Sequence, residues 1–442
     1  MAIEAIRTAS LGDTSYVLAH EGHGIVVDPQ RDIRRFLDAI ERLEVEITHV
    51  IDTHVHNDYL SGTPALARRL GADLVMPAGS GAAFPFVPAF HLEEMKGAGA
   101  ITIRPIHTPG HTPEHMSYLV LIDGTPSAVF TGGSLLVGSA GRTDLLGDEF
   151  ADSLARLQYL SVKRLAELPG DVEVLPTHGA GSFCTSTGSA GGGASTIEAE
   201  VRSNPVLQYQ DVDAFVAGEL DGLLPYPDYY PSMAPINRRD PGVIDTVVVP
   251  VVGARMIDPA AWVIDLRPRD RYLAGHIAGS LSVEWGSSFA PWVGWLVPFG
   301  TPVHLVLDPL QDPIWAATEL GRIGFRVSGA TTDLTSVQLV SGKTASVDEA
   351  IEAIEAGAIV VDVRDPHERK VAHVAGTVHR YVPDLRDAIP GSESDDVWLV
   401  CASGFRAAVA SGLVERAGRT PVTVTAGGVP ALLQARPDLT VT

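Results

Sequence analysis

The sequence predicts an α/β protein in three units, residues 1–240, 241–343 and 344–442. Three observations lead there. Short apolar, β-branched runs alternate with helical patterns along nearly the whole chain. Several of these runs end in histidine or aspartate, where the loops of an active site commonly begin. A stretch starting at Trp262, WVIDLRPRDRYLAGHIAGS, also returns at Ile359 as IVVDVRDPHERKVAHVAGT. The offset is constant: Asp265 and Asp362 differ by 362 − 265 = 97 positions, as do Arg267 and Arg364, His276 and His373, and Gly279 and Gly376. One offset across four matched residues predicts a duplicated unit.

The elements follow in order. Ile33, Phe36, Leu37, Ile40 and Leu43 recur at helical spacing, so 31–43 reads as an amphipathic helix. Residues 47–52, 101–106, 128–131 and 172–176 read as strands. The segment from Cys184 to Thr196, CTSTGSAGGGAST, has the composition of a loop or linker. The first boundary is placed near Asn237–Gly242, because residues 204–241 still look like the tail of the first unit. Each repeat then runs into a further strand: VHLVLD ends at Asp308 and VWLVC at Cys401, and a helix follows from Ala407 to Arg416.

Composition excludes several function classes. The 442 residues are 45% hydrophobic and 19% charged, which is globular. Lys and Arg less Asp and Glu give 32 − 54 = −22. So acidic a chain suits neither a nucleic-acid backbone nor an anionic membrane surface. Two cysteines leave no disulfide framework and no four-cysteine zinc module, and they fit a reducing compartment. The N-terminus has no basic region leading into an apolar run, and the most apolar stretch, Val243 to Ile257, is broken by Asp245, Pro250, Gly253 and Arg255. The expectation is a soluble cytoplasmic protein.

Two constellations carry chemistry. The first is THVHNDY with His54, His56 and Asp58, then TPGHTPEH with His111 and His115, then PTHGAG with His178. Imidazoles at i and i+2 after a strand can converge on one ion, and His111 and His178 can complete the set, which suits Zn(II) or Fe(II). His115 is a ligand-supporting or substrate-side candidate, or simply exposed. The second is CASGFR, with Cys401 at the end of a strand, a tight loop, and Arg406 entering a helix. Inward-pointing amides, a helix N-terminus and Arg406 together favour a thiolate, the nucleophilic form of cysteine. Cys184 reads as a small buried residue.

On THVHNDYLSG, TPGHTPEHMSY, FTGGSLLVGSAGRTD and PTHGAGSFC, the first unit resembles the metallo-β-lactamase-fold family, in its glyoxalase II and persulfide dioxygenase branch. The resemblance implies an αββα sandwich and a metal held by His54, His56, His111, Asp58 and His178. It implies one Fe(II) first and Zn(II) second. Two positions depart from the family pattern. Tyr59 stands where the last motif histidine is usual, and Gly133 where F-T-G-D has its aspartate. In dinuclear members that aspartate bridges the metals, so the departures weigh against a hydrolytic dinuclear centre. They leave a mononuclear site on His54, His56 and His111, or a metal-free relic of the fold. Tyr59 could fill the vacated space or offer a hydroxyl to a ligand. Arg142 could bind a carboxylate of a glutathione-like substrate, or form an internal pair with Asp144.

On DVRDPHERKVAHVAGT, CASGFR and AGGVPAL, the other two units resemble rhodanese domains with parallel sheets. The resemblance implies that Cys401 carries sulfane sulfur as a persulfide and that Arg406 stabilises the thiolate or an anionic donor. The first repeat has Asp308 at the equivalent strand end, and an aspartate cannot carry a persulfide. Four of the six tryptophans fall between Trp262 and Trp295, where they are expected to pack a core or an interface. The implied partners are small thiols, persulfides and thiosulfate, with a possible homodimer. Three functions compete: a persulfide-oxidising metalloenzyme joined to a sulfurtransferase, a sulfurtransferase on a metal-free scaffold, and a zinc thioester hydrolase.

Overall fold

The computed structural model describes every residue except 187–190, 192–193, 222, 245–246 and 442, so the Gly- and Ser-rich segment read as a loop or linker lies partly outside the described residues. The chain divides into two compact units, Met1–Val247 with Gly321–Gly324, and Val248–Leu320 with Phe325–Thr442.

The first unit holds two six-stranded sheets. One begins as an antiparallel meander, Ala2–Thr8, Asp13–His20 and His23–Val27, and continues in parallel through Glu46–Ile51, Asp73–Pro77 and Val87–Ala89. In the other, Ile101–His107, Met116–Ile122 and Thr125–Gly132 run antiparallel, and Glu173–Pro176 joins the last of them in parallel. Side chains alternate across each strand, so a strand that is apolar at every position is buried on both faces. Ile25 and Val27 therefore meet Val120, Ala128 and Phe130 between the sheets, whereas Val26 and Val17 turn outward onto Phe36 and Ile40 of the helix Arg34–Leu43. On the far side, Leu119, Leu121 and Val129 pack against Ala155, Val162 and Leu165 of the helix Asp148–Leu165. The layers are thus helix, sheet, sheet, helix, as expected from the sequence.

The first helix starts at Arg34, three residues later than its apolar spacing suggests. Gln30 is held as a bridge to Ser61, and its Oε1 accepts from Thr8 and Arg35, which keeps the preceding residues out of the helix.

The second unit contains two parallel sheets. One, of four strands, orders Leu281–Ser282, Trp262–Asp265, Val303–Val306 and Val327–Thr331. The other, of five, orders Lys343–Ala345, Pro421–Val424, Val397–Val400, Val360–Asp362 and Val378–His379. The repeat extends to individual hydrogen bonds. Arg267 clasps Asp265 and donates to the Gly275 carbonyl at 2.9 Å, while Arg364 clasps Asp362 and donates to the Ala372 carbonyl at 2.8 Å. His276 bonds the Tyr272 carbonyl, and His373 bonds that of Arg369. The helix Phe405–Arg416 joins the two repeats. A Cβ at Gly412 would lie 2.4 Å from the Ser280 carbonyl oxygen, Arg416 stacks 3.7 Å over Trp262, and Glu415 pairs with His276 at 3.0 Å.

Candidate metal and sulfur-carrier sites

Every strand end that the sequence marked contributes to one buried cluster in the first unit. Burial, by favouring neutral forms, holds the His54 and His111 imidazoles well below their ordinary range and also lowers His178. Neutral rings have one donor nitrogen and one lone pair, and here the surroundings fix which is which. His54 Nδ1–H donates to Thr53 Oγ1 at 2.9 Å, and that hydroxyl in turn donates to Asp28 Oδ2 at 2.8 Å. His111 Nδ1–H donates to the Arg142 carbonyl at 2.8 Å, and His178 Nδ1–H to Asp13 at 2.9 Å. All three Nε2 lone pairs are left over. Those of His54 and His178 face each other at 3.4 Å, and His111 Nε2 has no hydrogen-bond partner. Ligand atoms of the three lie within 4.8 Å of one another. Unprotonated nitrogens that converge on a common point repel one another, and a cation between them relieves this. The donor set therefore fits a divalent metal.

His178, rather than His56, stands third beside His54 and His111. Burial opposes a charged His56, but Asp28 outweighs it, helped by Asp52 and Asp58, and raises the imidazole to about 9. Its Nε2 lies 3.2 Å from Asp28 Oδ1 and 3.0 Å from the Tyr59 hydroxyl. Tyr59 stacks on that ring and donates to the Asp28 carbonyl, so it fills the space expected of it. His56 and Asp58 form a second candidate group with His178. No N–H or O–H group reaches either Asp58 oxygen in hydrogen-bond geometry. Burial and the neighbouring Asp13 raise Asp58 to about 8, and burial raises Asp13 to about 7.

His115 is fully committed. Its Nδ1–H meets Thr108 Oγ1 at 2.9 Å and its Nε2 accepts the Gly133 N–H at 2.9 Å. Gly133 itself is enforced by packing. A Cβ there would lie 2.2 Å from His111 Cδ2, so the His111 ring occupies the room that an aspartate side chain would need. Arg142 is buried as the internal pair: Nε and NH2 bond Asp144 at 2.6 Å each, and NH1 donates to the Phe183 carbonyl. Cys184 is buried 3.8 Å from the Tyr230 hydroxyl, and burial pushes its thiol up.

Sequence reasoning passed over the residues that hold the histidine loop. Asn237 donates to the carbonyls of His56 and Tyr59 and accepts the Ser61 N–H. Tyr229 donates to the Asp58 carbonyl at 2.8 Å, and Glu114 accepts the Val55 N–H at 3.0 Å. Lone Asn, Tyr and Glu residues carry no spacing that marks them. Only the persistence of first-unit character up to residue 241 hinted at the Tyr229 and Asn237 contacts.

In the second unit, Cys401 is buried at the end of the strand Val397–Val400. The Gly404 N–H points at its Sγ from 3.1 Å. Gly404 has φ +91°, and a Cβ there would meet the Thr425 carbonyl oxygen at 2.2 Å, so the turn needs glycine. The Val429 N–H holds the Cys401 carbonyl at 2.7 Å, across a contact too close for any side chain at Gly428. Arg406, in the first turn of the helix Phe405–Arg416, pairs with both oxygens of Glu368. Burial works against its charge, but Glu368 more than compensates and raises its pKa. In the first repeat the ladder register corrects the expectation for Asp308: Asp265 pairs with Val306 as Asp362 pairs with Val400, so buried Leu307 takes the position of Cys401, and Asp308 follows one residue later, its N–H capped by Gln311 Oε1 and its carboxylate paired with Arg271.

Two family models match separate parts of the chain. Residues 11–178 match the metallo-beta-lactamase superfamily, and residues 346–435 match the rhodanese-like domain. A hydroxyacylglutathione hydrolase-like protein of Homo sapiens is 34% identical over 148 residues, 33% of this chain and 48% of its own length, so the chain spans about half of that relative. The mitochondrial persulfide dioxygenase ETHE1 of Homo sapiens is 29% identical over 222 residues, 49% of this chain and 78% of its own. A metallo-beta-lactamase structure from Staphylococcus aureus superposes with a TM-score of 0.68 at 24% identity, covering 75% of this chain and 98% of that one, a likeness of fold. Among the described residues, no helix is long and apolar enough to cross a membrane.

Proposed function

We propose, for a chain that joins a metallo-beta-lactamase superfamily domain to a rhodanese-like domain, an enzyme of sulfur metabolism that handles persulfides and carries sulfane sulfur on Cys401. The observation that carries this reading is the Cys401 loop, where a backbone N–H 3.1 Å from the sulfur would stabilise a thiolate or a terminal persulfide anion. Sulfur moves there by displacement. The thiolate attacks the outer sulfur of a donor, the donor's S–S bond breaks, and its electron pair leaves with the residual thiolate.

The histidine cluster supports a metalloenzyme in the first domain. His54, His111 and His178 would hold the cation, with the Asp58 carboxyl group beside them at 3.5 Å from His178 Nδ1. Iron(II) bound there would supply the dioxygen activation needed to convert a low-molecular-weight persulfide to sulfite and thiol. The chain's own residues do the rest. Thr53, Arg142 and Asp13 hold the ring tautomers. Thioester hydrolysis is the weaker reading, because the bridging aspartate that two metals need is replaced at Gly133, where a Cβ does not fit. Tethering a sulfur carrier to a persulfide site raises the local concentration of the shared intermediate.

The test is elemental analysis of protein purified without chelators, followed by persulfide-dependent oxygen uptake and by sulfur transfer to cyanide in wild type and Cys401→Ala. Near-stoichiometric iron with oxygen uptake, and transfer lost with Cys401, supports both halves. Absence of metal after reconstitution with iron or zinc removes the metalloenzyme half and leaves the transferase.

A further inference from the structure

Arg406 lies within electrostatic reach of Cys401, yet its charge is already spent. NH2 donates to Glu368 Oε1 at 2.9 Å, NH1 donates to Glu368 Oε2, and Asp365 Oδ2 stands 3.6 Å from NH1. The neighbouring arginines offer nothing further. Arg364 is clasped by buried Asp362, and Arg369 divides its nitrogens between Asp362 and Thr377. Three arginines thus face three carboxylates, Asp362, Asp365 and Glu368. His367 and Lys370, on the same helix as Glu368, are exposed to solvent. The half-buried rings of Phe405 and Trp292 meet at 5.9 Å and give the loop an apolar flank.

A balanced cluster of this kind treats donors unequally. Thiosulfate is a dianion whose sulfonate needs unpaired positive charge near the attacking thiolate. An organic hydropersulfide, attacked in its protonated form R–S–SH, brings its outer sulfur uncharged and keeps any charge of its organic part away from the attacking thiolate. We propose that Glu368 determines donor specificity: by holding Arg406 in a neutral pair, it makes an organic hydropersulfide, rather than thiosulfate, the donor to Cys401. The step is Cys401–S⁻ + R–S–SH → Cys401–S–SH + R–S⁻. One S–S bond forms and one breaks, the electron pair leaves on the R sulfur, and no external oxidant or reductant is needed. Glu368 acts through Arg406 and is a positioning residue. The inference rests on the reading of Cys401 as the sulfur carrier.

The experiment compares thiosulfate and glutathione persulfide as donors to the full chain, with oxygen excluded so that only transfer is read, and with Cys401→Ala as the background. Thiocyanate formation gives kcat and KM, and the mass of the Cys401 peptide reports loading by one sulfur. The expected result is a kcat/KM for the persulfide roughly tenfold or more above that for thiosulfate. Glu368→Gln narrows the ratio, chiefly by lowering the KM for thiosulfate, and Glu368→Asp keeps the wild-type order. Equal use of both donors by wild type overturns the inference while leaving Cys401 as carrier, and so does an equal change toward both donors in a folded Glu368→Gln variant. Failure of either donor to load wild-type Cys401 overturns the carrier reading and the inference together.

Discussion

Arg271 donates to Asp308 at 2.6 Å, at the same place in the first repeat where Glu368 holds Arg406 in the second. Arg271 and Glu368 are equivalent helix positions, since 271 + 97 = 368. Both repeats therefore pair this helix with the loop at the strand end, but with the charges exchanged. Where the loop carries an anion one residue past the position of the nucleophile, the helix supplies the cation.

That exchange makes the first repeat resistant to simple repair. Pro309 follows Asp308 and has no N–H to offer a sulfur, and Gln311 Oε1 already takes the N–H of residue 308 at 2.8 Å. Leu307→Cys, at the register position of Cys401, in a Cys401→Ala background is expected to fold and to give no thiocyanate above background. Transfer restored to even a hundredth of wild type would show that the loop amides are not decisive.

Gly404 tests the loop from the other side. Its φ of +91° is a left-handed conformation, and an added Cβ would lie 2.2 Å from the Thr425 carbonyl oxygen. Relieving that clash must move the turn and withdraw the N–H now 3.1 Å from Cys401 Sγ. Gly404→Ala is expected to cost about 2–4 kcal/mol in urea unfolding and to lower the transfer rate by more than tenfold. Cys401→Ala, by contrast, abolishes transfer at a cost of only about 1–2 kcal/mol. Unchanged transfer in a folded Gly404→Ala protein would count against the role given to this amide.

The metal cluster makes its prediction through His178. Because the free Nε2 atoms are those of His54, His111 and His178, His178→Ala is expected to lose bound metal as completely as His111→Ala. His115→Ala should retain metal, since both His115 nitrogens are engaged by protein groups, while leaving the Gly133 N–H unpaired at a cost of about 1–3 kcal/mol. Metal binding to the folded state should raise Tm, and chelation should reverse the rise. Gly133→Asp should not improve the site, because its Cβ would fall against the His111 ring at 2.2 Å. Metal content per chain across the four variants decides this.

The sequence made the architecture legible where pattern and structure share a cause. Alternation and apolar runs located the strands that carry the sites, and the 97-residue offset located a duplication that the fold reproduces down to the Arg267–Asp265 and Arg364–Asp362 clasps. Which histidines point inward was not legible. His54 and His56 are two positions apart in the same loop, and their different fates depend on Thr53, Asp28 and Tyr59, brought together only by folding. The absence of a side chain at Gly133 was visible at once, but its reason, the position of the His111 ring, is tertiary. For Arg142, the sequence offered both a substrate contact and a pair with Asp144, and the structure holds the pair.

Glu219 gives the pH prediction, away from both sites. It lies in the helix Val212–Asp221 with only 4% of its surface exposed, and its Oε2 has no hydrogen-bond partner. Burial raises its carboxyl from 4.5 to about 7. The folded protein therefore keeps a proton that the unfolded chain releases earlier. The sign follows: this group's contribution is complete below the unfolded value and declines as pH rises, until the folded group also ionises near 7. The loss across that interval is roughly 3 kcal/mol. Glu219→Gln, which stays neutral, should remove it. Urea unfolding at about pH 5 and about pH 8 is expected to show a smaller drop in the variant than in wild type, with the two nearly equal in stability at the acidic end. An identical drop in both proteins would mean that the proton is held elsewhere.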